Sequence, residues 1–155
     1  PITDKWFEQV MLPNLKIGAK RAGRTLADLD LGSYGFIGCA NTEEGLERVR
    51  KGLKQRVAFY ASTPEYEKML DLHGWDVNLS DFISMAREHK WEEMGDLVSD
   101  EMLKAYAVVA TPEELPAALK KRFGGYVDRL QIDETWFDGL SDDEIAALVV
   151  KLKQI

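Results

Sequence analysis

Apolar positions return along this chain with two different periods, and the switches between them mark its elements. Trp6, Phe7, Val10, Met11, Ile17 and Ala19 recur at roughly helical spacing behind Thr3 and Asp4, which stand where a cap belongs. The pattern predicts a helix over 3–22, kinked at Pro13 and ended by Gly23. Leu29, Leu31 and then residues 34–40 form an apolar run, and Asn41 and Glu44 follow at capping-box spacing. This reads as a strand feeding a helix that runs to about Ser62. Thr63-Pro64-Glu65 restarts a helix with Tyr66, Met69 and Leu70 on one face, closed by Gly74. Short amphipathic helices are predicted over 80–88 and 91–97, and Ser99 caps the next turn.

The second half repeats the strand-then-helix order. Residues 106–110 read as a short apolar strand, and Thr111-Pro112-Glu113-Glu114 supplies an N-cap, a first-turn proline and a glutamate three residues after the cap. Gly124-Gly125 ends that helix, residues 126–132 alternate as a third strand, and Ser141 with Glu144 opens a last helix carrying Ile145, Leu148, Val149 and Leu152. Three strand-helix units argue for an α/β fold with a parallel sheet, because parallel strands need crossovers and both sheet faces need cover. Three strands are too few for a finished barrel.

Composition narrows the classes. With 155 residues, 45% hydrophobic and 30% charged, the chain suits one soluble domain over 1–155 with a real core. Its longest apolar runs fall short of the ~20 residues of a membrane helix, and no charged-then-apolar leader opens it, so a cytoplasmic address is expected. Pro1 fits removal of an initiator Met and a proteolytic start equally. A formal charge of -7, with no basic cluster interleaved with aromatics, disfavours nucleic acid. The single Cys39 excludes an internal disulfide, and His73 and His89 without a second Cys do not make a zinc site of the usual spacing.

Single residues carry little chemistry by themselves. Helix capping is the simpler reading of Asn41 and Thr111, and an acidic first helical turn that of Asp133 and Glu134. Cys39 as a nucleophile needs an activating base, and neither histidine is near it in sequence. His73 in LHGW suits a helix C-terminus closed by Gly74. Tyr66, Trp75 and Trp91 suit a core, or a wall for a planar ring. Gly124-Gly125 follows a helix and so is no phosphate loop.

Two longer stretches carry more. FYASTPEYEKMLDLHGW at 59–75 and EMLKAYAVVATPEELPAALKKRFGGYVDRLQI at 101–132, with LPNLKIGAKRAGR at 12–24, resemble the C-terminal half of the luciferase-like monooxygenases, most closely their F420-dependent branch. The resemblance implies a partial (β/α)8 TIM-barrel-like fold: the last three units of a barrel whose usual size is ~250 residues, with extra helices inserted after the first. It implies an oxidoreductase that moves hydride between coenzyme F420, or FMN, and an organic substrate. Barrel sites lie at the C-terminal strand ends, which points to Cys39, Asn41, Thr111 and Asp133 as pocket residues. Sugar-phosphate members place basic residues before the seventh strand. Here Lys104 is followed by Ala105 and Tyr106, which argues against such a substrate. Strands that usually form much of the flavin pocket are not among the three, so tight cofactor binding by this chain alone is not expected. Phe36, Val108 and Leu130 are then left facing no opposite wall, and the expected cover is a second copy in a homodimer, the preceding barrel half, or the extra helices between Glu65 and Leu97 swung over to cap the sheet. The competing reading is a non-catalytic, self-associating module built from barrel units.

Overall fold

In the computed structural model, residues 2–125 and 127–154 are described; the expected strand start at Tyr126 lies outside them. The first helical stretch comprises α1 (Asp4–Trp6), a wider π turn (Phe7–Met11) and α2 (Leu12–Arg21). Pro13 explains the π turn: it has no N–H for the carbonyl four residues back, so the turn ahead of it widens. Leu12 donates to the Phe7 carbonyl, five residues back, and the Asn14 amide reaches the Val10 carbonyl at 2.7 Å.

The strands are β1 (Gly32–Tyr34), β2 (Phe36–Ala40), β3 (Ala107–Ala110), β4 (Arg129–Gln131) and β5 (Phe137–Asp138). They lie on three chain paths, 32–40, 107–110 and 129–138, and every pairing is parallel. This is the α/β class expected. β2 is central, with β3 on one edge and β5 on the other, while β1 pairs with β4. β5 was not predicted; two residues are too few to show a period.

Side chains alternate across β2 and sort the helices into two layers. Phe36 joins the larger core with Val49, Leu53 and Val57 of α3 (Glu43–Ala61), Met69 and Leu70 of α4 (Glu67–His73), Phe82 of α5 (Leu79–Arg87), Met94 of α6 (Trp91–Met94), and Met102 and Leu103 of α7 (Asp100–Tyr106). Ile37 and Cys39 point the other way, into a second core with Leu115 and Leu119 of α8 (Leu115–Phe123) and Leu148 of α9 (Asp142–Leu152). Phe36 is therefore covered, only 2% exposed, and Val108 and Leu130 pack half-buried under α8 and α9. The expectation that these three face no wall is corrected: helices of the same chain supply the cover.

Several helix starts sit where expected. Ser99 caps α7, and Ser141 with Glu144 forms a capping box on α9. Two shift. Thr42, not Asn41, caps α3 through the Gly45 N–H, and the Thr111–Glu114 box forms a turn ahead of α8.

Candidate functional site

The C-terminal strand ends bring together the β2–α3 junction, Thr111 after β3, and the β5–α9 junction. Cys39 pairs with Ala110 in register and with Phe137 on its other side, so Asn41, Thr111 and Asp138 leave the sheet at nearly one level. Side-chain hydrogen bonds bridge these junctions at the surface. Asn41 Nδ2 donates to Glu144 Oε1 at 3.0 Å, tying the first junction to the last helix. Arg48 donates through Nε and Nη2 to Asp138 Oδ2 at 3.0 and 2.8 Å, and through Nη1 to Glu44 at 2.8 Å. Gly45 permits this close approach, because a Cβ there would lie 2.8 Å from the Ala40 Cβ and 2.9 Å from Asp138 Oδ2.

Electrostatics at this end favour cations. Glu43 and Glu44 occupy the first turn of α3, and Asp142, Asp143 and Glu144 that of α9. Each complements its own helix dipole. Together they take up the two helix N-termini that could otherwise have held a phosphate. The Ser141 backbone N–H and hydroxyl, and then the Asn41 amide, hold the Glu144 carboxyl below its ordinary range. FMN and F420 are anionic through their phosphates, and neither of these two helix N-termini offers them an uncompensated seat.

The four expected pocket residues have separate roles. Cys39 is fully buried between β3, β5 and α8, and burial pushes its thiol up to about 11. A thiol with that value is not a nucleophile at neutral pH. Asn41 spans the crevice, and Thr111 shares a hydrogen bond of 2.9 Å with Glu114. Asp133 lies short of the strand ends, because Tyr34 is opposite Gln131 while Cys39 is opposite Phe137. It accepts the Thr135 N–H at 3.0 Å and the Tyr34 hydroxyl at 3.0 Å. Thr135 first, and Tyr34 with it, holds the carboxyl below the usual range. Asp133 is thus set apart from the other three. Sequence reasoning missed Arg48, Asp138 and Gly45; only the i,i+4 spacing of Glu44 and Arg48 was a readable signal.

His73 ends α4 at the left-handed Gly74, with its ring stacked 3.9 Å over Trp75 and its Nε2 2.7 Å from the buried Thr3 hydroxyl. Burial and then Lys5 lower its pKa, against the pull of Glu101. It is a clasp for the N-terminal segment. The aromatics do not form one wall: Trp75 meets Tyr106 and Tyr66 meets Tyr60, whereas Trp91 meets Phe59 on the surface. Lys104 lines a groove of about 520 Å³ in which Arg50 is paired with Glu43 at 2.6 Å and Lys54 with Asp100 at 2.7 Å. Among the described residues no three His, Cys, Asp or Glu side chains gather as a metal set, and no helix is long and apolar enough to cross a membrane.

Residues 6–129 match the luciferase-like monooxygenase family. The chain belongs to that family. Uncharacterized proteins of Mycobacterium tuberculosis and Mycobacterium bovis are each 31% identical over 129 residues, covering 83% of this chain and 38% of their own. A 5,10-methylenetetrahydromethanopterin reductase of Methanolobus tindarius is 26% identical over 116 residues, covering 73% of this chain and 34% of its own. In fold, the chain resembles the coenzyme F420 dependent tetrahydromethanopterin reductase of Methanopyrus kandleri, with a TM-score of 0.70 over 95% of this chain and 40% of that one, at 24% identity. This family member thus spans well under half the length of each of these relatives, and its parallel strand-helix units are of the kind found in a TIM-barrel F420 reductase.

Proposed function

We propose that this family member forms the C-terminal portion of the barrel of a cytoplasmic oxidoreductase that moves hydride between coenzyme F420, or FMN, and an organic substrate. The observation that carries the reading is the family match across residues 6–129, which includes the first two parallel strand-helix units. In such an enzyme the cofactor supplies the redox chemistry and the protein positions it. This chain would supply packed scaffold and part of the pocket rim, and the preceding barrel units would supply cofactor capture. A chimera tests the reading. With the preceding part of the Mycobacterium tuberculosis relative fused ahead of Leu12, we expect F420 or FMN to bind and its fluorescence to change; a folded chimera indifferent to both would overturn it.

A second reading, a non-catalytic module that associates with its own kind, is favoured by one feature. The outer edge of β3 has no strand partner among the described residues, and such an edge invites pairing. Light scattering behind a sizing column should then show about twice 17.6 kDa at high protein concentration. A mass that stays at the single-chain value removes the homodimer.

A further inference from the structure

In a closed barrel each strand lies between the one before it and the one after it, the helices ring the outside, and strand side chains fill the interior. One edge of β2 obeys that order, with Phe36, Ile37, Gly38 and Cys39 opposite Ala107, Val108, Val109 and Ala110 of the next strand. Its other edge belongs, in a barrel, to the preceding strand. Here it holds the third chain path: Cys39 and Ala40 face Phe137 and Asp138, and just upstream Ser33 faces Leu130. The faces tell the same story. α3 covers the Phe36 and Gly38 side, whereas α8 and α9 cover the Ile37 and Cys39 side, and a barrel has helices on only one of the two.

We propose that the 129–152 segment, together with α8, is an internal stand-in for the preceding barrel units, so that the β1–β2 edge and the Ile37–Cys39 face form the docking surface for a parallel, apolar strand that enters only when the stand-in leaves. The fit of the stand-in is imperfect. β4 holds three residues and β5 two, with residues 132–136 out of the ladder between them, so few main-chain bonds retain it. It is tied at both ends: just ahead of it Leu31 N–H donates to Asp128 Oδ2 at 2.8 Å and the Leu31 carbonyl accepts from Asp128 N–H at 2.8 Å, and beyond β4 Arg48 holds Asp138 and Asn41 holds Glu144 at the surface. The occupant follows from length and order. Relatives that match 83% of this chain carry it as only 38% of their own, and the strand next in line for this edge is the one before β1. The inference rests on family membership and not on which cofactor is used.

Two measurements on the full chain test it. In a Cys39→Ala background, Ser33→Cys with Leu130→Cys should close an intramolecular disulfide on mild oxidation, and Val108→Cys with Leu130→Cys should not. In the unmodified chain, amides of β4 and β5 should exchange with solvent at least about tenfold faster than those shared by β2 and β3, as expected of a locally detachable element. Closure of the Val108 pair, closure of neither pair, or equal protection of the two sets of amides would each overturn the proposal.

Discussion

Gly38→Ala is expected to cost about 3 kcal/mol of folding stability, a large share of what a domain of this size holds. Gly38 is the point at which α3 crosses β2. A Cβ built there would lie 2.2 Å from Val49 Cγ1 and 3.2 Å from Leu53 Cδ1. Neither neighbour can yield easily, because Val49 is β-branched and both are buried, so the helix must lift from the sheet. Gly18 in α2 provides the control. Nothing lies within 4 Å of its Cβ position, so Gly18→Ala should stabilise by up to about 1 kcal/mol through helix propensity and the unfolded state. Urea unfolding of both variants checks the pair, and equal midpoints would refute the close helix-strand contact.

Phe82→Ala should have the largest effect, about 4 kcal/mol, through lost transfer energy and the cavity left behind. Phe82 is the one buried residue of α5, fully enclosed in the core that α3 shares with Met69, Leu70, Met94 and Val98. Without it the inserted helices lose the anchor that holds them over the Phe36 side of the sheet. Cleavage by a protease between Val77 and Lys90 should rise along with the fall in stability. A change in midpoint worth less than about 1 kcal/mol would mean that the insertion is held elsewhere.

Much of the fold was legible in the sequence because its signals are local. Ser99, Gly74 and the Ser141–Glu144 box each mark a helix end through a hydrogen bond or a backbone angle that a single residue type supplies. The one-residue shift from Asn41 to Thr42 shows the limit of that reading. Both residue types cap, and the partner the Asn41 amide does find is Glu144, about a hundred positions away, which no local pattern shows. Strand order was not legible. β2 is apolar on both faces, so its sequence is satisfied by a neighbour on either edge, and the choice depends on where α8 and α9 find cover. The placement of Asp133 was not legible for the same reason. Asp133 follows a predicted strand closely, but the chain resumes pairing at Phe137, which leaves Asp133 beside Tyr34 and away from Thr111 and Asn41.

Alone, this luciferase-like segment folds with its strand ends bridged and acidic, and cofactor capture falls to the barrel units before it. Isothermal titration of the 155-residue chain with F420 and, separately, with FMN tests it most directly. No binding with a submicromolar dissociation constant is expected for either. Submicromolar binding of one of them by this chain alone would contradict it.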